Sequence, residues 1–288
     1  MLPTILSIQS WVATGHVGNA AAIFPLQRLG AEVHAIHTVQ FSNHPGHGAF
    51  TGQAYPGPHT AALVDGIEAR GLLPKTDALL SGYLGDAGSI AAVTHAADRL
   101  RAANPAALYC CDPVIGDTTP GVFVRPEIPA LIHSHLVPRA DILTPNLFEL
   151  EHLTQTPCPT LAATRTAIAR LQYRMPQARP RIVLVTSLAL PDTPENHLDL
   201  LAASPTELWR LRVPRLPIAP NGAGDAVAAL FLLHILRTAS LPEALANAGS
   251  AIAAILRRTA AAHAPELLLV QAQDELANPT IRYTPERL

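Results

Sequence analysis

A glycine-containing turn in the last third of the chain combines residue types that can bind phosphate and act on a neighbouring hydroxyl. Gly222 and Gly224 flank Ala223 in this turn. Asp225 follows, directly before the apolar run 226–236, which predicts a buried helix. The amide N–H groups of a first helical turn have no partners within the helix and attract anions, and a carboxylate beside them can act as a general base. The same pattern is also typical of an ordinary helix start capped by Asp225, so the turn alone leaves both interpretations open.

Polar side chains also recur where the predicted strands end. They are Ser10, Asn43, Tyr83, Asp112, Asn146 and Thr186. Because ligands bind outside the carboxyl ends of the strands in an open α/β sheet, we expect these side chains to converge on one ligand site. Taken singly, each is also typical of turn, cap or core chemistry, and Glu149 is typical of a solvated helix face.

The oxygen-bearing side chains of this set favour phosphoryl transfer. Asp112, Asn146 and Glu149 offer oxygen atoms of the kind that Mg²⁺ prefers, and Mg²⁺ usually binds through one or two carboxylates together with phosphates. Magnesium opposite a group of backbone amides suits a reaction in which catalysis is mostly positioning and charge neutralisation.

Strands and helices alternate along the chain in the way needed to position these residues. Strands are predicted over 4–10, 32–40, 78–82, 107–111, 141–143, 181–185, 198–203 and 208–213. Helices are predicted over 22–29, 59–70, 87–103, 128–136, 161–171, 223–238 and 242–261, with another opening at Asn146. The last two strands are expected to be antiparallel. The pattern predicts an α/β fold with a mainly parallel central sheet and helices on both faces, in a single domain over 1–288.

Two loops are expected to lack regular structure. The segment with Gly116, Asp117, Pro120 and Gly121 is too polar and too rich in turn residues for a regular element. In the loop 41–48, two histidines three positions apart are compatible with a metal site. The intervening proline and glycine disfavour a helix there, however, and no third ligand appears, so we expect this loop to face the substrate.

Composition excludes several classes of function. Hydrophobic residues make up 49% of the 288 residues and the net charge is −2, so we expect neither a nucleic-acid partner nor a membrane partner. The first residues lack a basic segment, and the longest apolar run is too short to span a membrane, which predicts a cytoplasmic protein. Lys75 is the single lysine and lies in no glycine-rich loop, so a Walker A NTPase and a protein kinase are both excluded.

The chain resembles pyridoxal kinases, in the ribokinase-like superfamily, almost from end to end. The resemblance is carried by segments 7–10, 15–19, 38–44, 81–85, 111–117 and 144–151. It is completed by the turn Gly222–Ala223–Gly224–Asp225, which is the signature of the superfamily. The segments 7–10, 15–19 and 41–44 resemble pyridoxal kinases rather than sugar kinases.

The resemblance implies ATP-dependent phosphorylation of the 5′-hydroxymethyl group of pyridoxal and assigns roles by position. It implies that Asp225 is the general base and that Gly222, Ala223 and Gly224 form the anion hole. The implied substrate-binding residues are Ser10, Val17, Phe41, His44, Pro45, Gly46, Tyr83 and Asp225. The implied ATP-binding residues are Asp112, Thr144, Asn146, Glu149, Thr186, Ser187, Gly222 and Gly224, with Asp112 and Glu149 also serving Mg²⁺. The resemblance further implies a flap over ATP at Asp117–Val124, a homodimer and stimulation by K⁺.

One residue departs from the family pattern. Family members usually have a threonine after the Asn–His pair, whereas this chain has Pro45, followed by Gly46 and His47. Proline offers neither a hydroxyl nor a backbone N–H, so we expect ring recognition to be weakened or shifted to another B6 vitamer, with His47 as a candidate to compensate. A kinase for hydroxymethylpyrimidine and a pyridoxal carrier without turnover remain the alternatives.

Overall fold

A computed structural model describes residues 2–288. Its strands, in chain order, are β1 (Thr4–Val12), β2 (Glu32–Phe41), β3 (Gly52–Ala54), β4 (Ala78–Ser81), β5 (Leu108–Cys111), β6 (Gly116–Asp117), β7 (Gly121–Val122), β8 (Ile142–Leu143), β9 (Ile182–Leu188), β10 (His197–Ala203), β11 (Leu208–Pro214) and β12 (Glu286–Arg287). Its α-helices are α1 (Asn19–Arg28), α2 (Gly57–Ala69), α3 (Ala87–Ala103), α4 (Ile128–Leu131), α5 (Leu147–Thr154), α6 (Leu161–Arg174), α7 (Ala223–Thr238), α8 (Leu241–Ala261) and α9 (Asp274–Ala277).

Ten strands form one sheet in the order β12-β11-β10-β9-β8-β5-β4-β1-β2-β3. The six strands from β9 to β2 run parallel, whereas β10, β11 and β12 at one edge and β3 at the other pair antiparallel. The mainly parallel sheet and the antiparallel pair 198–203 and 208–213 are therefore confirmed. Parallel strands end at the same edge, so the loops after β1, β2, β4, β5, β8 and β9 gather there.

Helices cover both faces of this sheet, as predicted. One core packs α2 to α6 against the sheet, and the other packs α1, α7 and α8 against the opposite face. Strand β1 shows the division, because Leu6 and Ile8 belong to the first core and Ile5 belongs to the second. Successive side chains of a strand point to opposite faces, and because both faces are covered, β1, β4 and β5 are buried almost throughout. Among residues 2–288, no helix is both long and apolar enough to cross a membrane.

Two strands extend beyond their predicted ends. A register shift between Gln9 and Trp11 lets β1 continue to pair with β2 as far as Val12. Ser10 therefore lies within an irregular part of β1 rather than after the strand. Strand β9 likewise continues through Thr186 and Ser187, and it pairs with β10 as far as Leu188. The expectation that Ser10 and Thr186 follow their strands was wrong, because pairing with β2 extends β1 and pairing with β10 extends β9.

Both loops that were expected to be irregular contain short regular elements. Strands β6 and β7 form a two-stranded hairpin over 116–122, which corrects the expectation for Gly116, Asp117, Pro120 and Gly121. Pro45–His47 forms one 3₁₀ turn, which corrects the expectation that proline and glycine prevent a helix there. Proline is compatible with the first position of a helical turn, where its missing N–H would have no partner anyway.

Further small elements were not predicted. They are β3, β12 and α9, and the predicted helix 128–136 is divided into α4, a π-helical turn over Ile132–Leu136 and a 3₁₀ turn over Val137–Arg139. Another 3₁₀ turn, Leu73–Lys75, precedes β4 and places the single lysine at the amino edge of the sheet.

Candidate active site

The turn before α7 begins with a left-handed glycine. Gly222 has φ +88° and is the N-cap of α7, and the first backbone hydrogen bond of the helix runs from the Ala226 N–H to the Gly222 carbonyl at 3.0 Å. The N–H groups of Ala223 and Gly224 therefore lack partners within the helix. They form the positive end of a helix of 16 residues. These two amides are therefore available to an anion, as the prediction of an anion hole requires.

The two glycines of the turn differ in what surrounds them. A Cβ at Gly222 would lie 1.7 Å from the backbone oxygen of His16, so the turn is packed directly against the loop after β1. A Cβ at Gly224 would have no neighbour within 4 Å. Gly222 is therefore required by the fold, whereas the space beside Gly224 is open to a ligand.

Gly18 connects the turn with Ser10. A Cβ at Gly18 would lie 2.3 Å from Ser10 Oγ, so the two residues are in direct contact. A hydrogen bond from the Gly18 backbone lowers the pKa of Asp225, so Asp225 also contacts Gly18. The predicted base and the predicted ring-binding serine are thus separated by one glycine.

A buried polar network begins at Asn19, the residue after Gly18. Asn19, which opens α1, is fully buried. Its Oδ1 accepts a hydrogen bond from Ser7 Oγ at 2.7 Å, and its Nδ2 donates to the Ile36 carbonyl at 2.9 Å. Because a buried amide must satisfy both of its ends, these bonds fix the start of α1 relative to β1 and β2.

Asp225 has the electrostatics expected of a base. Burial raises the pKa of its carboxyl, and the backbone hydrogen bonds from Gly18 and from Asp225 itself only partly oppose this effect. A raised pKa makes the carboxylate a stronger proton acceptor at neutral pH.

Asp112 lies near Asp225 and is buried. Its exposed fraction is 7%, and Oδ1 accepts a hydrogen bond from Thr144 Oγ1 at 2.8 Å. Its pKa is raised well above the ordinary value by burial, then by the charges of Glu149 and Asp225. The three carboxylates therefore form one cluster. None of them takes part in an ion pair with another residue in the part of the chain that the structure describes.

Glu149 is engaged by backbone amides. Its Oε1 accepts from the Ile115 N–H at 2.9 Å and from the Gly116 N–H at 3.4 Å, and its Oε2 accepts from the Asn146 N–H at 2.9 Å. Burial nevertheless raises its pKa to about 7. Glu149 is 5% exposed, so the alternative of a solvated helix face does not apply. The residue joins the β6–β7 hairpin to the start of α5.

The other predicted ATP-side residues lie around this carboxylate cluster. Asn146 Nδ2 donates to the Gly116 carbonyl at 2.8 Å, and Asn146 also forms an isolated parallel bridge with Thr186. Ser187 is exposed with φ +58°, and no side-chain hydrogen bond connects it with the other predicted residues between 2 and 288. The structure therefore brings Asp112, Thr144, Asn146, Glu149 and Thr186 together and leaves Ser187 at the margin.

Apart from Asp225, the predicted substrate residues lie at the ends of β1 and β2 or in the loops after β1, β2 and β4. Val17 is buried, and Phe41 is partly buried with its ring 4.8 Å from that of Phe50. Tyr83 is partly buried, and its carbonyl accepts a hydrogen bond from Thr38 Oγ1 at 3.1 Å. Burial raises the pKa of Tyr83, and the charge of Arg125, the residue directly after the segment 117–124, lowers it.

The loop after β2 is ordered by its first histidine. His44 Nδ1 accepts a hydrogen bond from the Gly46 N–H at 3.1 Å and caps the 3₁₀ turn. Pro45 and Gly46 are exposed, and a Cβ at Gly46 would lie 3.9 Å from Asn221 Nδ2. The predicted substrate loop therefore reaches the turn that contains Gly222.

One residue at this site was not found from the sequence. Glu266 follows α8 and lies beside His47, with Oε1 3.2 Å from the Nδ1 atom. No motif surrounds Glu266, and only the tertiary structure brings it here.

The donor chemistry of the cluster fits a divalent cation. Asp112 and Glu149 supply buried carboxylate oxygens without a cationic partner, which is the type of environment that Mg²⁺ neutralises. No group of three or more His, Cys, Asp or Glu side chains among residues 2–288 could hold a metal ion by itself. The cluster therefore suits a cation that is shared with phosphate oxygens, which is how Mg²⁺ is usually bound.

Known proteins with similar sequences carry the names of kinases. The family model described as phosphomethylpyrimidine kinase matches residues 74–266. The pyridoxal kinase PdxY of Granulibacter bethesdensis is 54% identical, over 96% of this chain and 96% of its own length. The pyridoxal kinase PdxY of Deinococcus radiodurans is 53% identical, over 99% of this chain and 96% of its own length.

Solved structures of pyridoxal kinases share this fold. The pyridoxal kinase of Leishmania donovani in complex with ADP and pyridoxine superposes with a TM-score of 0.90 at 27% identity, covering 99% of both chains. The pyridoxal kinase of Entamoeba histolytica gives a TM-score of 0.89 at 23% identity and covers both chains fully, which supports the fold alone.

Proposed function

The chain belongs to the pyridoxal kinase family, and on this premise we propose that it transfers the γ-phosphoryl group of ATP to the 5′-hydroxymethyl group of pyridoxal. The ATP-dependent phosphorylation of B6 vitamers follows from the family. The observation that supports the site assignment is the contact series from Ser10 through Gly18 to Asp225, beside the open space at Gly224.

Asp225 is proposed as the general base. Its carboxylate accepts the proton of the 5′-hydroxyl while the oxygen attacks the γ-phosphorus and the bond to the leaving ADP breaks. The amides of Ala223 and Gly224 stabilise the negative charge on the transferring group, because they point out of the helix start and carry its dipole. Gly222 sets the position of these amides through its packing against His16.

Asp112, Thr144, Asn146, Glu149 and Thr186 are proposed to line the nucleotide side, with Ser187 at its margin and the flap 117–124 above. Asp112 and Glu149 would hold Mg²⁺, which neutralises phosphate charge when bound. Both oxygens of Glu149 already accept backbone hydrogen bonds, so Asp112 has the carboxylate that is more available to a cation.

Ser10, Val17, Phe41, His44, Pro45, Gly46 and Tyr83 are proposed to enclose the substrate ring. Ser10 Oγ is free to bind a ring atom, since no intramolecular hydrogen bond engages it in the described residues 2–288. We further propose a single-domain enzyme that acts as a cytoplasmic homodimer and is stimulated by K⁺. These last properties rest on the resemblance to the family alone.

A vitamer panel tests the proposal. Turnover of pyridoxal, pyridoxine, pyridoxamine and hydroxymethylpyrimidine is measured with Mg·ATP, and pyridoxal is expected to give a high kcat/KM. Preferential turnover of hydroxymethylpyrimidine would support the second candidate, which is motivated by Pro45 and by the description of the matching family model. Binding of pyridoxal without any phosphorylation would instead identify a carrier.

A further inference from the structure

Four chain segments around the site are linked in a closed series of contacts. Glu266 Oε1 lies 3.2 Å from His47 Nδ1, and His47 Nε2 lies 3.3 Å from Asn221 Nδ2. Asn221 precedes Gly222, which lies against the His16 carbonyl. The His16 N–H lies 3.4 Å from Glu266 Oε2 and closes the series.

The contacts are compatible with one neutral form of the histidine. With the proton on Nδ1, His47 donates to the Glu266 carboxylate and accepts at Nε2 from the Asn221 amide. Gly15 provides the necessary room, because a Cβ at Gly15 would lie 2.8 Å from Glu266 Oε1. The side chains of His47 and Glu266 are 37% and 29% exposed, so the series runs along the rim of the site.

The segments joined in this way carry different parts of the proposed reaction. The loop 44–47 is proposed to contact the substrate ring, and the turn 221–225 carries the anion hole and the base. Their separation decides whether the hydroxymethyl group of a bound ring reaches Asp225, and displacements of about 1 Å are enough to reduce turnover strongly.

We propose that Glu266 and His47 are positioning residues that hold the loop 44–47 at a fixed distance from the Asn221–Asp225 turn. The inference rests on the proposed function and deepens it. This role differs from the earlier expectation that His47 replaces the missing threonine hydroxyl, because His47 positions the loop and does not bind the ring. Of the residues proposed to bind ATP, the series includes only Gly222, so the effect should appear mainly in the KM for the alcohol substrate rather than in the KM for ATP.

Steady-state kinetics of His47→Ala, Glu266→Ala and the double variant test this proposal. We expect each single substitution to raise the KM for pyridoxal by about 3–10-fold, and the KM for ATP to stay within about twofold. The KM of the double variant for pyridoxal should not exceed that of the more impaired single variant, since either change breaks the same contact series. Glu266→Gln retains an acceptor oxygen for His47 and should restore most of the affinity.

A second histidine–carboxylate pair provides the control. His95 Nε2 lies 2.7 Å from Asp65 Oδ1, and the His95 side chain is 36% exposed, which matches His47. Because His95 lies on α3, His95→Ala should leave both KM values unchanged. Additive effects in the double variant, an equal rise in the KM for ATP, or wild-type kinetics in His47→Ala would overturn the proposal.

The two proposals can fail separately. If the wild-type protein binds pyridoxal but does not phosphorylate it, the proposed function fails. Calorimetric affinities of wild-type protein and His47→Ala for pyridoxal then test the positioning role alone. An affinity that is unchanged by the substitution would refute it.

Discussion

The α-carbon of Gly222 rests against the carbonyl oxygen of His16, at a point where a Cβ would lie only 1.7 Å from that oxygen. This contact joins the turn before α7 to the loop after β1, and these two segments are 206 residues apart in the chain. The backbone amides of the turn are thus placed by packing against another backbone, which is stiffer than packing against a side chain. The geometry of the anion hole therefore depends on the overall fold.

Gly222→Ala is expected to destabilise the whole protein. The positive φ of +88° strains an alanine by about 1–2 kcal/mol, and the contact with His16 forces a backbone shift in addition. Thermal unfolding should show a fall in Tm of several degrees. Gly71→Ala is the matched control, since Gly71 has φ +67° but open space around its Cβ position. An equal loss in both variants would show that the His16 contact contributes nothing.

Gly224→Ala is expected to lower the activity without lowering the stability. The fold should keep its Tm, because a Cβ there meets no atom within 4 Å, whereas kcat should fall since that space is proposed to receive the phosphoryl group. Gly66→Ala in α2 provides the comparison, as it also lies in a helix with open space at the Cβ. Turnover of Gly224→Ala at the wild-type rate would argue against the anion hole.

Asp225→Asn removes the proposed base with little change in shape. We expect kcat to fall by about 10²–10⁴-fold, the usual contribution of general-base catalysis. Calorimetric binding of ATP and pyridoxal should persist, because the amide keeps the volume of the carboxyl. A kcat near that of the wild type would remove Asp225 from the mechanism.

The stability of the ligand-free protein should fall as pH rises. Glu149 titrates near 4.5 in an unfolded chain and near 7 in the folded one, so the folded state retains the proton to higher pH. This contribution to the free energy of unfolding is complete below about pH 4.5 and is lost as pH rises through 7. The loss should amount to roughly 1–3 kcal/mol. Urea unfolding between pH 5 and pH 8 measures it.

Glu149→Gln is the control for this pH effect, because glutamine resembles the protonated carboxyl. The variant should show a flatter dependence of unfolding free energy on pH. Asp112 acts in the same direction, as its pKa is also raised, so some dependence should remain. If wild type and variant have the same slope, Glu149 does not retain a proton in the folded state.

Pro45→Thr should improve recognition of pyridoxal. It restores a hydroxyl and an N–H in an exposed position of the 3₁₀ turn, and one added hydrogen bond of about 1 kcal/mol corresponds to a roughly fivefold lower KM. Pro58→Thr changes the same residue type near the start of α2 and should have no kinetic effect. If the KM for pyridoxal does not fall in Pro45→Thr, Pro45 does not weaken the binding of pyridoxal.

Most of the fold could be predicted from local sequence patterns. The alternation of apolar strands and helices predicted the parallel sheet, and the glycine turn with the polar residues near the strand ends predicted the region of the site. These features depend on neighbouring residues, so periodicity and turn chemistry are sufficient to find them. The two-residue strands β6 and β7 were missed because they depend on long-range hydrogen bonds: the Gly116 N–H donates to Glu149, and the Gly116 carbonyl accepts from Asn146.

Glu266 shows the limit of this approach most clearly. It follows an alanine and a proline after α8, and nothing nearby in the sequence marks it as functional. Its importance arises from contacts with His16 and His47, which are more than two hundred residues away. Contacts of this kind can be found only once the fold has brought the segments together.

The location of Lys75 has a consequence for the product. Pyridoxal 5′-phosphate is an aldehyde, and aldehydes condense with lysine amines to form imines. The single lysine of this chain lies before β4, at the sheet edge opposite the candidate site, and the remaining basic side chains near the site are arginine and histidine. The reactive aldehyde is therefore formed in surroundings without a lysine side chain that could trap it as an imine.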